Sequence, residues 1–184
     1  MIQICSTVIS EGGYNPIGKP FSVSNTSGVS ISNIAAGELI ILMIQGGNSA
    51  GNYYHQNIVP YSINLVDTTG NNLLCYRIRI YKDGILPTAN LITWNDVNTS
   101  NSIVQYSTTS GAPTNVSDSI IVSQGFFSGK GTVLYGNLEN VFSSQILQIT
   151  SNYSNVSDVL VITAQLFSGN NSTVYADINW NEFY

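Results

Sequence analysis

The sequence predicts an all-β protein, an antiparallel two-sheet β-sandwich of jelly-roll type with about eight to ten strands and little or no helix. Apolar residues recur at every second position, most clearly at Val59, Tyr61, Ile63 and Leu65. Turn-forming sequences such as Lys82-Asp83-Gly84 separate these short runs, and no stretch shows the 3.6-residue period of a long helix. Because no repeat or linker interrupts the pattern, we expect one domain over residues 1–184.

The predicted strands follow one another along the whole chain. In the run LLCYRIRIYK at 73–82, Arg77 and Arg79 lie on the face opposite the alternating apolar residues. Residues 39–44 and 158–162 are apolar at successive positions, which is typical of strands covered on both faces. The full set of predicted strands is 2–9, 29–34, 38–45, 59–65, 73–82, 91–94, 103–107, 119–127, 145–150, 158–167 and 173–182. Segments rich in Asn, Ser, Thr and Gly predict surface loops at 22–30, 46–57, 98–102 and 107–119.

Low charge limits the classes of partner. Only 8% of the residues are charged, and the net charge is -5 with five basic residues. Five basic residues are too few to neutralise a run of phosphates. Nucleic acid is therefore not expected as a partner. The longest apolar run, at 39–44, is far shorter than the roughly 20 residues that cross a bilayer, so no membrane insertion is expected.

Few residues are suited to catalysis or to metal binding. The sole histidine, His55, lies in a Gly- and Asn-rich loop with no cysteine or carboxylate nearby, which is typical of a surface residue. No serine or cysteine has the context of an activated nucleophile. No glycine pair is followed by a helix that could hold a phosphate, so we expect no cofactor and no metal. Five aspartates stand beside turn residues, where the side chain is expected to bond the nearby backbone: Asp67, Asp83, Asp96, Asp118 and Asp158. Calcium binding at these turns is the alternative, although the usual loop pattern is absent.

Four further predictions concern the last strand, the cysteines and the loop tyrosines. Asp177 and Glu182 are predicted on opposite faces of the last strand, where they cannot act together. Trp180 alternates with polar neighbours and is predicted to face the core. Cys5 and Cys75 are interpreted as free thiols, with a disulfide as the alternative. Tyrosines in the loop near His55 could contact protein or sugar, or could simply fill sheets.

Several stretches resemble one known domain in the same order along the chain: CSTVISEGGY at 5–14, WNDVNTSNSIVQYS at 94–107, IIVSQGFFSG at 120–129, VLVITAQL at 159–166 and VYADINWNEF at 174–183. The domain is the C-x-V-x-S-E-G-G-Y β-sandwich domain of capsid-associated or fibre-like virion proteins of phages and large aquatic viruses. The matching residues are Cys5, Val8, Ser10, Glu11, Gly12, Gly13, Tyr14, Trp94, Ser102, Tyr106, Gly125, Ala164, Trp180 and Glu182.

The resemblance implies structural roles for these residues and no catalytic role. Gly12 and Gly13 follow a predicted strand, where glycine supplies positive φ for a turn. The carboxylate of Glu11 is expected to accept hydrogen bonds from backbone or tryptophan donors. Trp94 and Glu182 belong to the same structural set. The sequence has fewer arginines in the middle strands and more asparagine than the usual pattern.

Three functions are compatible with the sequence. The first is a non-enzymatic viral structural protein, located on the capsid surface or on a fibre or spike, which forms a homo-oligomer, with a trimer favoured, and contacts other capsid or fibre proteins. The second is a carbohydrate-binding host-attachment module, with Tyr53, Tyr54 and His55 as the contact residues for host-surface glycans. The third is a glycoside hydrolase fragment, which would need two carboxylates roughly 5–10 Å apart.

Overall fold

The structure of the protein, a computed structural model, describes residues 18–47, 57–70, 72–128, 133–138, 149 and 156–183. The strands in this part of the chain are β1 (Lys19–Ile31), β2 (Glu38–Gly46), β3 (Asn57–Asp67), β4 (Leu73–Tyr81), β5 (Asn95–Asp96), β6 (Val104–Ser107), β7 (Ser119–Ser128), β8 (Val133–Asn137), β9 (Val159–Ser168) and β10 (Ser172–Phe183). The helices in the same ranges are two 3-10 turns, Ile34–Ala36 and Val116–Asp118. No described helix is long and apolar enough to cross a membrane.

The strand pairing confirms the jelly roll. One sheet has the order β1-β10-β3-β8, and the other has the order β5-β6-β2-β9-β4-β7. Apart from the short β5 and β6, the strands pair first with last: β1 with β10, β2 with β9, β3 with β8 and β4 with β7. The additional pairs β10–β3 and β9–β4 close this rolled hairpin into two antiparallel sheets. The β5–β6 hairpin extends the second sheet beyond β2.

Alternation along each strand places the core between the two sheets. In β10, every second residue from Ser172 to Glu182 is buried, and Trp180 is fully buried as predicted. The ring of Phe21 on β1 stacks on Trp180 with the ring centroids 6.1 Å apart. One continuous cluster of buried residues, including Ile41, Ile63 and Ile78, fills the space between the sheets. Because both sheets contribute to this cluster, burial of its apolar surface holds them together.

The prediction that 39–44 and 158–162 are covered on both faces is confirmed. Residues 40–44 and 159–164 are all buried. On the outer face of the larger sheet, Ile40, Met43 and Val161 form a second apolar cluster. The connection after β4 covers this cluster with Ile92 and Trp94. One face of the larger sheet is therefore covered by the smaller sheet, and the other face is covered by the connection after β4.

The predicted loop at 22–30 is wrong, because these residues lie inside β1. Their Ser and Thr side chains face outward, and the strand is interrupted by a register shift between Asn25 and Val29. Asn25 Oδ1 accepts hydrogen bonds from the backbone N–H groups of Ser27 and Gly28 at 3.1 Å each. Its side-chain amide donates to the Ile41 carbonyl oxygen at 2.7 Å. A buried asparagine thus satisfies the backbone of a bulge that resembles a loop in sequence.

Other strands also differ from the predictions. The predicted strand at 91–94 is irregular; Ile92 and Trp94 belong to the cover over the larger sheet, whereas Leu91 is exposed. The strand predicted at 29–34 ends at Ile31. β8 had no counterpart among the predicted strands. The predicted strand at 2–9 lies outside the described residues, as does 145–150 apart from Ile149, which bridges Ile58.

Candidate functional site

The structure describes only some of the residues predicted from sequence. Tyr53, Tyr54 and His55 lie outside the described residues, and so does the segment from Glu11 to Gly13. Their proposed roles therefore stay predictions. The described residues of the set are Trp94, Trp180 and Glu182. Among the described residues, no group of three or more His, Cys, Asp or Glu side chains could hold a metal ion.

Glu182 is the centre of a buried hydrogen-bond network at one end of the sandwich. Its side chain faces the core, and the residue is 1% exposed. Glu182 Oε1 accepts hydrogen bonds from the Ser102 hydroxyl at 2.6 Å and from Trp180 Nε1 at 2.9 Å. Glu182 Oε2 accepts from the backbone N–H of Ile103 at 3.0 Å. Ser102 Oγ also accepts from the backbone N–H of Val104 at 3.1 Å.

This network joins the two sheets. Glu182 belongs to β10 of the smaller sheet, whereas Ser102 and Ile103 lead into β6 of the larger one. The turn before them is closed by Asn98, whose Oδ1 accepts from the backbone N–H groups of Ser100 and Asn101. A buried carboxyl group needs donors, and here three donors converge on it from two elements. Glu182 therefore holds the β5–β6 hairpin against the end of the roll and acts as a structural acceptor.

Glu38 forms a second polar network, on the outer face of the larger sheet. Arg79 donates to both carboxylate oxygens of Glu38, from Nε at 3.0 Å and from Nη2 at 3.1 Å. Arg77 Nη1 donates to Glu38 Oε2 at 3.0 Å. The Thr163 hydroxyl also donates to this carboxylate. Three adjacent strands, β2, β9 and β4, are cross-linked by these bonds, since each contributes at least one partner.

The pKa of Glu38 reflects both its burial and its partners. Burial by itself raises the pKa of this carboxyl. The hydrogen bonds from Arg79 and Thr163 and the positive charges of Arg79 and Arg77 outweigh that effect, so the pKa lies below its ordinary value of 4.5. The carboxylate is thus held ionised by two guanidinium groups, which is typical of a structural ion pair.

The lowered pKa of Glu38 predicts a loss of stability in acid. The unfolded chain has the ordinary pKa of 4.5, so it takes up a proton first as the pH falls. The stabilising contribution of Glu38 is therefore complete above the unfolded pKa and is lost as the pH falls through the folded pKa. We expect Glu38→Gln to flatten the pH dependence of the free energy of unfolding below about pH 5. Urea unfolding of both chains over a pH series measures this difference.

Asp118→Asn is the matched control for the acid series, because Asp118 is an exposed carboxylate. Asp118→Asn makes the same change of charge outside the Glu38 network. Equal slopes for Glu38→Gln and the unsubstituted chain would contradict the role assigned to Glu38.

Other carboxylates hold turns at the two ends of the roll. Asp67 Oδ1 accepts from the backbone N–H of Thr69 at 3.0 Å and from the Ser172 hydroxyl at 2.8 Å. The Asp158 carboxylate accepts from Lys82 Nζ at 2.7 Å and from the backbone N–H of Asp83 at 3.2 Å. These contacts agree with the sequence interpretation of such aspartates as turn residues. Both carboxylates therefore have structural roles.

Cys75 is a buried free thiol on β4. Desolvation by burial raises the pKa of the thiol above its ordinary value. A raised thiol pKa lowers the thiolate fraction at neutral pH and so lowers nucleophilicity. Cys5, its possible disulfide partner, lies outside the described residues.

The outer face of the smaller sheet has polar and aromatic side chains, including the carboxylate of Asp177. A shallow cavity of about 380 Å³ on this face is lined by Pro20, Phe21, Ser22, Tyr61 and Asn179. Beside it, the Asn64 amide donates to Asp177 Oδ1 at 2.8 Å, and the Asn179 amide donates to Ser62 Oγ at 3.0 Å. Hydroxyl, amide and aromatic groups on one open surface can form hydrogen bonds and stack on a flat ligand.

Comparison with known proteins adds little to this geometry. Neither a family model nor a curated protein matches the sequence. A structure of infectious bursal disease virus, Gx strain, is similar at 12% identity over 91% of this chain and 41% of that chain, with a TM-score of 0.18. The decameric BFDV capsid protein is similar at 8% identity over 90% of this chain and 99% of that chain, with a TM-score of 0.19. The infectious bursal disease virus VP2 subviral particle is similar at 14% identity over 91% and 39%, with a TM-score of 0.11.

All three structures are of viruses or viral capsid proteins. The chain spans about two fifths of the length of the infectious bursal disease virus chains that it matches. TM-scores this low support no argument about the present chain. Its jelly-roll fold is established by its own strand pairing.

Proposed function

We propose that this protein is a non-enzymatic viral structural protein. It is a jelly-roll module of the virion, on the capsid surface or on a spike or fibre, and it acts by self-association and by contact with other capsid or fibre proteins. This proposal extends the resemblance to the C-x-V-x-S-E-G-G-Y domain of virion proteins.

One observation carries the proposal. The resemblance singles out Ser102, Trp180 and Glu182, and the Ser102 side chain meets Trp180 and Glu182 of β10 in the buried network although Ser102 and Glu182 are 80 residues apart. Residues that match by chance would have no reason to form one site. Four described carboxylates accept hydrogen bonds that join strands or close turns: Glu38, Asp67, Asp158 and Glu182. Their use in structural contacts supports a role without proton transfer.

Self-association is the expected result in solution. A surface with few charges opposes association weakly, because there is little repulsion between copies. We expect the full chain to sediment as an oligomer, with a trimer favoured by the resemblance, and to dissociate on dilution. Sedimentation velocity over a wide range of concentrations measures this. A chain that stays strictly monomeric at high concentration would contradict the proposal.

Carbohydrate binding is a second candidate function, favoured by the cavity on the smaller sheet. Tyr61 offers an aromatic surface there, next to the amide of Asn179. A glycan array tests this function and also locates it. Loss of a hit on Tyr61→Ala would place the sugar on the sheet, loss on Tyr53→Ala or Tyr54→Ala would place it on the predicted loop, and no hits would remove the candidate.

A further inference from the structure

The four sheet edges of the described strands differ in how well they are protected against pairing with another chain. β5 and β8 are short, with two and five residues. β1 is long, but it begins with Lys19-Pro20 and is broken by the register shift after Asn25. Short length, lysine, proline and bulges are the usual means of blocking an edge. The edges formed by β1, β5 and β8 are therefore each protected by at least one of these features.

β7 is the weakly protected edge. It has ten residues, Ser119–Ser128, with the sequence SIIVSQGFFS and no charged residue or proline. Among the described strands it pairs with β4 only, so its other side has a row of backbone groups without a strand partner. Its single protective feature is a bulge at Val122, since Ile78 pairs with Ser123 and Arg79 pairs with Ile121.

Exposed apolar side chains concentrate around this edge. Ile120, Ile121 and Phe126 of β7 are 45%, 43% and 58% exposed. Phe126 packs edge-on against exposed Phe167, with the ring centroids 5.4 Å apart. Exposed Leu73 pairs with the end of β7, and exposed Val116 lies just before its start. Exposed apolar side chains on both faces of one edge strand favour an interaction at that edge.

We propose that β7 pairs antiparallel with β7 of a second copy of this chain, about a two-fold axis, so that the two larger sheets continue through the interface. This inference rests on the proposed function, because it identifies the surface through which the chain self-associates. A second copy is the occupant because β7 is complementary to itself in one register.

The bulge determines that register. It places Ile121, Gln124 and Phe126 on the same outer face, where they are opposite Arg79, Arg77 and Cys75 of β4. Directly opposed residues of an antiparallel pair lie on the same face of the sheet. A two-fold axis through the sheet keeps each residue on its own face, so the residue at the axis lies opposite its own copy. With the axis at Gln124, the bulged Val122 of each copy lies between the positions opposite Gly125 and Phe126 of the other copy, so the two bulges do not meet.

In this register, the strand matches itself along its length. Gln124 lies opposite Gln124 of the second copy, where two amides can form hydrogen bonds to each other. Ile121 lies opposite Phe126, and Ile120 lies opposite Phe127, so that apolar residues face apolar residues on both sides of the sheet. Ser119 and Ser128 meet at the ends. Burial of exposed side chains and pairing of unpaired backbone groups both favour this contact.

The two-fold contact has a consequence for the number of copies. A trimer cannot close through it, because an isologous contact relates copies in pairs. The contact therefore produces a dimer, or joins two trimers into a hexamer if a separate cyclic contact also forms. An assembly that ends at three copies would overturn the inference and leave self-association intact.

Cysteine cross-linking tests the register. Residues directly opposite each other have Cβ atoms roughly 4.5–5.5 Å apart, so Gln124→Cys should form a disulfide-linked dimer under mild oxidation. Ser128→Cys is the matched control on the same strand, because its sulfur would lie about 26 Å from its own copy. The unsubstituted chain, with its two cysteines, gives the background. Equal cross-linking of both variants, or none above background, would overturn the register.

A charge swap tests the interface without cysteine chemistry. We expect Ile121→Lys to raise the dissociation constant at least about tenfold, because it places a lysine opposite Phe126 of the other copy. Adding Phe126→Glu should restore association to within about threefold, since each lysine then faces a glutamate. Leu91→Lys is the control, because Leu91 is 91% exposed and distant in sequence from β7, and it should leave association unchanged.

The outcomes separate the two proposals. Circular dichroism first establishes that each variant is folded, which is expected because Ile121 and Phe126 are exposed. An oligomer that is insensitive to both tests overturns β7 pairing and leaves the proposed function standing. A monomer at high concentration contradicts the proposed function itself. Polydisperse aggregates that Ile121→Lys abolishes would indicate unspecific edge pairing and overturn the two-fold contact.

Discussion

Trp180→Ala should lower the free energy of unfolding by about 3–5 kcal/mol, the usual cost of truncating a buried aromatic residue. Trp180 is fully buried between the sheets and stacks on Phe21. Its removal leaves a cavity in the core and also takes one of the hydrogen-bond donors from Glu182. Denaturant unfolding at a fixed protein concentration measures the change, since self-association makes apparent stability depend on concentration.

Trp94→Ala is the matched control for this experiment, because it removes the same side chain from a different environment. Trp94 is only partly buried and packs against the smaller cluster on the outer face of the larger sheet. Its truncation should cost at most about half as much, since less apolar surface returns to water. Trp180→Phe separates the ring from its N–H group, because it keeps most of the packing. Equal costs for the two alanine variants would contradict the assignment of Trp180 to the core.

Much of the fold could be predicted from sequence because period-two alternation is a local signal. The predicted strands at 59–65, 119–127 and 173–182 each lie inside an observed strand, and the one at 73–82 extends one residue past β4. Within β1, residues 22–30 are rich in Asn, Ser, Thr and Gly and therefore predict a loop; in the structure the Ser and Thr side chains face outward and the bulge contains Gly28 at a φ of 67°. What identifies it as a strand is its pairing with β10, a contact between residues far apart in the chain.

The segment at 91–94 shows the opposite error. Leu91, Ile92 and Trp94 have the apolar pattern of a strand, yet they are part of an irregular connection. Ile92 and Trp94 are apolar because they cover the outer cluster of the larger sheet. An apolar side chain in the sequence predicts burial, but it does not predict whether a strand or a connection buries it.

The polar networks could be predicted only in part. Alternation places Arg77 and Arg79 on the outer face, as observed, but their partner Glu38 lies on a different strand, 39 and 41 residues away. Alternation also places Glu182 on the same face as Trp180 and therefore in the core. The hydroxyl donor to Glu182, from Ser102, is 80 residues away. A core-facing glutamate in a sequence indicates that donors must exist, although only the topology supplies them.

Glu182→Met should lower the free energy of unfolding by about 3 kcal/mol or more, because each buried donor left without an acceptor costs about 1–3 kcal/mol. Methionine has a similar volume, so the packing changes little and the lost hydrogen bonds dominate. The donors affected are the Ser102 hydroxyl, Trp180 Nε1 and the Ile103 N–H. The β5–β6 hairpin should also loosen, which faster amide exchange at Ile103 and Val104 would report.

Glu182→Gln distinguishes the acceptor role from packing. The amide keeps one oxygen acceptor, but its NH₂ group would face a donor, either Ile103 N–H or the pair formed by Ser102 and Trp180. We expect it to be less destabilising than Glu182→Met and clearly more destabilising than Asp177→Asn. Asp177 is the matched control, since it lies on the same strand with its carboxylate on the outer face, bonded to Asn64. If Glu182→Gln and Asp177→Asn cost the same, the buried network does not hold the hairpin to the roll, and the convergence of Ser102, Trp180 and Glu182 loses its weight as support for the proposed function.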